Sequence, residues 1–295
     1  MKVIVTGGNG SSGRLIVNAL LAEGHETTAI DRRDPGQVGF RQIELTHYAE
    51  VADALAGADA VVHFGANPHP DCDPAGAADR FANNTVSTFN VFNACVEHGI
   101  DRIVWASSET IQGYPFADNA PSRIPLDESD VSPQNAYAMS KLLCEQLAEM
   151  LCRLRPELAI IGLRLSNILY ADALPVDPSA AGNRVRDTYR RVPGYWGDVR
   201  ERAFNLWGYI DARDVVDIVG RALKSPIRGA HSCLVVAPDT IMNRPTRDLI
   251  EATFPGTPVD PDLPEFGGAM SGAHARALLG FRPQWSWRDV PEAQP

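Results

Sequence analysis

Residues 3–13 read VIVTGGNGSSG. Val3, Ile4 and Val5 make a β-branched run that is apolar on both faces, as a strand buried inside a parallel sheet must be. Three glycines follow at a spacing of three, Gly7, Gly10 and Gly13. Arg14–Glu23 then carries Leu15, Ala19, Leu20 and Ala22 at helical spacing, and Gly24 ends that helix. A turn without side chains between strand and helix presents backbone N–H groups and the positive end of the helix dipole, which suits a diphosphate. A lone glycine cluster is an ordinary turn former, but the order strand, glycines, helix marks a dinucleotide loop. The second strand, Glu26–Ile30, ends in Asp31, where an acid meets the hydroxyls of an adenosine ribose.

The rest of the chain narrows the class. At 295 residues it has room for one α/β unit with a smaller lobe. A net charge of −10 argues against a nucleic-acid-binding surface. No apolar run reaches membrane-spanning length, so no membrane partner is expected. The first strand begins at residue 3, which leaves no room for a signal peptide and points to a cytoplasmic protein. The cysteines, Cys72, Cys95, Cys144, Cys152 and Cys233, show no metal-ligand spacing, the histidines are scattered, and no metal site is expected.

Strands and helices alternate through the first half. Further strands are expected near Arg41–Leu45, Ala60–Phe64, Ile103–Ser107 and Leu158–Leu163, with a last one at Cys233–Val236. Helices are expected near Tyr48–Ala56, Phe81–His98, Tyr137–Leu154, Val215–Leu223 and Ala273–Leu279. This rhythm predicts a Rossmann-type α/β fold, a doubly wound parallel sheet of about seven strands. Residues 1–167, rejoined by 209–237, form the dinucleotide-binding domain. The irregular blocks 168–208 and 238–295 are expected to form a small, largely C-terminal substrate lobe over the sheet edge.

The chemistry comes from Tyr137-Ala-Met-Ser-Lys141. Residues four apart share a helix face, so phenol and ammonium project together. A tyrosine near its reference pKa of about 10 is a poor base, and a nearby lysine cation, with the positively charged nicotinamide ring of an oxidised cofactor, is expected to lower that value. The phenol then takes a proton from a substrate hydroxyl as hydride leaves the same carbon. Ser107 and Ser108 end the fifth strand, at the sheet end of the glycine loop, where a hydroxyl can hold the substrate oxygen.

These pieces make the chain resemble an extended short-chain dehydrogenase/reductase of the sugar epimerase/dehydratase family. The similarity runs through TGGNGSSG, DAVVHFGA (59–66), NTVSTFN (84–90), SSETIQG (107–113), YAMSK and LRLSN (163–167). The resemblance implies that Tyr137 is the acid/base, that Lys141 orients the cofactor ribose, and that Ser108 bonds the reacting oxygen. It places Asn9, Ser11 and Ser12 with the three glycines on the cofactor, and Asp31 and Arg32 at its adenosine end. Glu44 and Leu45 flank the adenine, while Phe64, Gly65 and Ala66 line the pyrophosphate path. Asn84, Ser107 and Leu165 support the cofactor region, and Asn167 opens the substrate lobe. Family members also pair into homodimers through the helices of residues 81–98 and 137–154. Val91, Phe92, Leu143, Leu147 and Leu151 could serve that interface or the core.

Departures from the family pattern bear on substrate. Glu109 and Thr110 stand where dehydratases carry an Asp-Glu pair, so sugar-nucleotide dehydration is disfavoured. Gln112 replaces a common tyrosine and alters one wall of the substrate pocket. The expected substrate is a sugar or sugar nucleotide, and the short chain leans toward a smaller sugar derivative. An epimerase-like enzyme is the leading reading, a dehydrogenase of a free sugar or uronate the alternative, and a non-catalytic NAD sensor a third. Asp31 favours NAD over NADP, because its carboxylate repels a 2′-phosphate; Arg32 and Arg33 leave NADP open. Trp207 and Arg213, in NLWGYIDARD, are further substrate-binding candidates, with core packing and an ion pair as the competing roles.

Overall fold

The fold follows from the alternation of side chains along the first strand. The protein is described here by a computed structural model covering residues 1–33, 39–68, 70, 74–116, 119–171 and 188–289. Cys72 and much of the first irregular block lie outside the described residues. Strand β1 (Lys2–Thr6) sends Val3 and Val5 to one face and Ile4 to the other, and all three are buried. Both faces are therefore covered, as a parallel strand requires.

The remaining strands are β2 (Glu26–Asp31), β3 (Phe40–Gln42), β4 (Ala60–His63), β5 (Arg102–Ser108), β6 (Ala159–Leu165), β7 (Ile168–Leu169), β8 (Ile210–Asp211) and β9 (Gly229–Val235). Seven of them make one sheet in the order β3-β2-β1-β4-β5-β6-β9, every pair parallel. β7 and β8 form a separate two-stranded parallel sheet. The helices are α1 (Ser11–Ala22), α2 (Tyr48–Leu55), α3 (Pro74–Glu97), α4 (Ala136–Leu154), α5 (Ala212–Lys224), α6 (Thr246–Thr253) and α7 (Ala273–Leu279). One core layer joins Val3, Val5, Val62 and Val104 to Ile16 and Leu20 of α1 and Val215 and Val219 of α5. The opposite layer joins Ile4, Val61 and Ile103 to Val51 of α2, Val91 and Phe92 of α3, and Cys144 of α4. A third cluster, with Trp207, Tyr209, Tyr189, Ile241, Leu249 and Trp287 among its members, is built from the irregular segments.

The order reverses between β1 and β4, and at such a switch point the connections leave the carboxyl ends to opposite sides, where a crevice is expected. The doubly wound sheet and its seven strands agree with the sequence reading, while several boundaries move. The third strand occupies Phe40–Gln42 rather than Arg41–Leu45, leaving Glu44 and Leu45 in the turn that follows. The long helix starts at Pro74, not Phe81; proline suits a first helical position, where its missing N–H costs nothing. The last strand begins at Gly229. Helix α6, β7 and β8 carry no signal that the sequence reading caught.

Candidate active site

A cavity of about 810 Å³ opens along the carboxyl ends of β1, β4, β5 and β6. Its near end is the glycine loop. Gly7 holds φ +69° in contact with the backbone at Phe64 and Gly65. A Cβ on Gly13 would stand 2.1 Å from the Gly7 carbonyl oxygen, so the turn into α1 closes only with glycine. Gly10 precedes the helix, and no side chain caps it. The first-turn residues Ser11, Ser12 and Gly13 line the cavity. An uncapped helix start beside bare backbone is a cradle for a diphosphate.

The adenosine end is equally formed. Asp31 closes β2 and accepts the Asn9 N–H at 3.2 Å and the Arg33 N–H at 3.3 Å. Arg32, Glu44 and Leu45 line the same end. Phe64, Gly65, Ala66 and Leu165 continue the wall toward the serines. Asn84 stands behind the wall: its amide bonds both the N–H and the carbonyl of Asn67, pinning the loop after β4. This donor set fits a nicotinamide dinucleotide with an unphosphorylated ribose.

At the far end, β5 delivers Ser107 and Ser108, and α4 delivers Tyr137 and Lys141. Lys141 is 2% exposed and donates from Nζ to the Ala106 carbonyl at 2.7 Å. Burial pulls its pKa down to about 8, against the opposing influence of Cys144 and Glu145. Ser108 Oγ accepts from the Thr110 N–H at 3.2 Å and its hydroxyl at 3.0 Å, leaving its own O–H to donate. That hydroxyl acts on Tyr137, pulling its pKa down. The lowering expected from the lysine together with an oxidised nicotinamide concerns the cofactor complex; in the chain alone burial dominates. Burial pushes Tyr137 up to about 12, Ser108 and Arg80 pull it partly back, and the Glu109 charge adds to the rise. In the chain alone Tyr137 is a neutral phenol at neutral pH.

Behind the serines lies a buried ion pair. Arg164 on β6 grips Glu145 on α4 through two bonds of 2.9 and 2.7 Å, and Glu145 also accepts the Ser107 hydroxyl at 2.6 Å. Lys141 and Glu145 are one helical turn apart, so this pair ties the part of α4 that carries Lys141 to the end of β5.

The substrate candidates divide. Glu109 and Asn167 line the cavity with Ser108. Glu109 is 7% exposed, accepts the Asn205 amide at 3.1 Å, and is pushed up to about 7 by burial, against the influence of Ser166, Asn205 and the Arg202 charge. Gln112, Trp207 and Arg213 are not on the wall. The Gln112 amide is turned inward between the Glu109 carbonyl, at 2.7 Å, and Arg164, at 2.5 Å. Trp207 is wholly buried, donates to the Val199 carbonyl and packs edge-on to Phe254. Arg213 clasps Asp211 through two bonds and stacks 3.4 Å over Trp285. For all three, a local partner satisfies the polar group and leaves nothing for substrate. Ser166, Tyr170, Arg202 and Asn205 reach the cavity without having been singled out from sequence. Ser166 could have been found from its place just past β6; Arg202 and Asn205 sit in an irregular stretch with no periodic signal.

The chain is 32% identical over 179 residues to an L-arabinose 1-dehydrogenase (NAD(P)+) of Haloferax volcanii, covering 58% of this chain and 68% of that protein. It is 30% identical over 189 residues to a UDP-glucose 4-epimerase of Azospirillum brasilense, covering 60% of this chain and 51% of the epimerase. The chain therefore spans about half the length of most of the curated relatives it matches. The UDP-glucose 4-epimerase from Bifidobacterium longum, solved with NAD+ and UDP, superposes with a TM-score of 0.72 at 20% identity over 99% of this chain and 96% of that one. A short-chain dehydrogenase/reductase superfamily protein from Agrobacterium tumefaciens, solved with NAD, gives 0.70 at 23% identity, covering 99% and 96%. Those likenesses show the shared fold. The sequence profile of the NAD dependent epimerase/dehydratase family matches residues 3–237, from the strand before the glycine loop to just past β9. With glycine loop, strand-end serine, tyrosine and lysine all in one crevice, the chain belongs to the NAD-dependent epimerase/dehydratase family.

Proposed function

We propose that the protein oxidises a secondary hydroxyl of a sugar or sugar derivative, with Tyr137 as acid/base. The observation that carries this reading is the convergence of Ser108, Tyr137 and Lys141 in a cavity continuous with the glycine loop. Bound NAD supplies the hydride acceptor. The chain's own groups do the rest. Ser108 and Tyr137 hold the substrate oxygen from two sides, and Tyr137 takes the hydroxyl proton as the carbon becomes a carbonyl. Lys141, fixed on the Ala106 carbonyl, keeps a positive charge under the ring of Tyr137, 5.6 Å from its centroid. With the phenol near 12 in the chain alone, proton transfer needs added positive charge close by, and an oxidised dinucleotide brings it.

Two outcomes share this first step. Return of the hydride to the opposite face gives an epimerase; release of the carbonyl product gives a dehydrogenase. Incubation with NAD and a panel of free sugars, uronates and nucleotide sugars, read by NADH absorbance, separates them. NADH formed from a free sugar removes the epimerase reading. Tyr137→Phe should lower turnover by about 100- to 10,000-fold while NAD binding is kept; full turnover in that variant would refute the assignment.

The same reading makes the protein a homodimer. On α4, Met139, Leu143, Met150 and Leu154 form an exposed stripe at helical spacing, and α3, packed against it, exposes Val86 and Phe89. Val91 and Phe92, considered for the interface, are wholly buried in the core. A contiguous apolar surface on two neighbouring helices supports a symmetric helix-pair contact.

A further inference from the structure

The far end of the cavity holds polar groups that carbinol oxidation leaves unused. Among the described residues, ten buried side-chain nitrogen and oxygen atoms lack a hydrogen-bonding partner. Five of them belong to Glu109, Ser166, Arg202 and Asn205, and all four residues line the cavity. Buried polar atoms are nearly always paired within a folded chain, so their concentration on one wall points to a partner from outside it. The orphans are complementary in kind. Arg202 offers Nε and Nη2 as donors, Asn205 Oδ1 is an acceptor, the Ser166 hydroxyl is both, and Glu109 Oε2 accepts when the carboxyl is ionised and donates when it is protonated.

Arg202 is held ready for such a partner. Its guanidinium lies 4.9 Å from the centre of the Phe204 ring and 5.5 Å from that of Tyr195. Glu109 and Glu201 act on it electrostatically, yet among the described residues no carboxylate stands within ion-pair distance. The backbone beneath it is unusual too. Arg202, Leu206 and Trp207, with φ of 66°, 53° and 55°, are the only non-glycine residues among the described ones in the left-handed region. Strained conformations of this kind persist where surrounding bonds enforce them, and they gather at ligand sites. Here Asn205 enforces it, donating to both Glu109 and the Gly208 carbonyl.

We propose that Arg202, with Glu109, Asn205 and Ser166, forms a subsite for an anionic oxygen group carried on a polyhydroxylated substrate. A carboxylate or a phosphate ester supplies that group, making the substrate a sugar acid or a sugar phosphate. The guanidinium takes the anion, and the acceptors take hydroxyl protons from neighbouring carbons. Glu109 directly follows Ser108, so the subsite shares a wall of the cavity with the serine proposed to hold the reacting oxygen. The choice of a sugar rests on the oxidation proposed above; the anion site does not.

The test uses the full chain saturated with NADH, so that ligands bind without turnover. Glucuronate, galacturonate, glucose 6-phosphate, glucose, galactose and UDP-glucose are titrated calorimetrically into wild type, Arg202→Met and Arg202→Lys. The expected result is that a uronate or the phosphate binds about 10- to 100-fold more tightly than its neutral parent sugar. Arg202→Met should erase that preference without moving the neutral sugar, and Arg202→Lys should keep part of it. Whichever anion shows the preference identifies the source. Equal affinity for neutral and anionic sugars overturns the subsite, as does equal weakening of both by Arg202→Met or binding confined to UDP-glucose. If Arg202→Met does not fold, the Arg202→Lys comparison decides alone. A parallel assay with NAD keeps the two readings apart. Anion-selective binding with no oxidation of any carbinol refutes the oxidation and leaves the subsite standing, whereas oxidation of neutral sugars unchanged by Arg202→Met does the reverse.

Discussion

Glu109→Gln should stabilise the protein above neutral pH and do little in acid. The carboxyl of Glu109 is buried and titrates near 7 in the folded chain, against 4.5 for the ordinary glutamate. Between those values the folded protein keeps a proton that the unfolded chain has released. Stability then falls as pH rises, because the folded state binds more protons. At about 1.4 kcal/mol per pH unit, the loss across the window reaches about 3 kcal/mol. Glutamine has nearly the same shape, keeps an oxygen for the Asn205 amide, and does not titrate.

The difference between variant and wild type isolates this one group. His63, pulled down to about 3 by burial, makes stability rise with pH below neutrality, and Asp214, pushed up to about 6 by burial, makes it fall. Both are present in each protein and cancel in the subtraction. Urea unfolding of the two proteins, followed by circular dichroism from about pH 4.5 to about pH 8, supplies the numbers. The stability difference should be near its floor at the acid end, grow through the window, and level off above about pH 7 in favour of the variant. A difference that stays constant, or that widens toward acid, would show that Glu109 is not a buried acid held protonated by its surroundings.

Three further changes probe the scaffold. Gly13→Ala places a Cβ 2.1 Å from the Gly7 carbonyl oxygen, so it should lower the melting temperature and abolish NAD binding together; unchanged affinity by fluorescence titration would show that the loop has slack. Arg164→Leu strands the Glu145 carboxylate in the core and should cost about 3–5 kcal/mol by urea unfolding. Adding Glu145→Gln to that variant should recover part of the loss, whereas a simple packing defect would not be relieved. Phe89→Glu with Leu143→Glu should give a folded monomer in light scattering where wild type is a dimer, with the circular dichroism spectrum unchanged; a dimer that survives both charges places the interface elsewhere.

What could be read from the sequence and what could not divide along a physical line. The placement of the loop Gly7–Gly13, the strand-end Ser108 and the Tyr137–Lys141 pair on one cavity was legible because each position is set locally, by a spacing within one turn or one helix face. The burial of β1 was legible for the same reason, since a parallel strand covered on both faces demands a run such as Val3-Ile4-Val5. The start of α3 escaped because Pro74–Arg80 holds small and polar residues without an apolar stripe, and only its N-terminal proline marks it. Gln112, Trp207 and Arg213 were offered for the substrate wall, the last two with core packing and an ion pair as competing roles; Gln112 and Trp207 turn to Arg164 and Phe254, distant in sequence, and Arg213 pairs with Asp211. Arg202 and Asn205 were missed for the complementary reason. They reach the cavity through a turn whose left-handed backbone falls on Arg202, Leu206 and Trp207, residues with no intrinsic preference for it. The proposed hydride chemistry rests on regular elements, where periodicity exposes it. The proposed recognition of the substrate rests on strained irregular backbone, where only the folded chain shows which polar atoms are left wanting a partner.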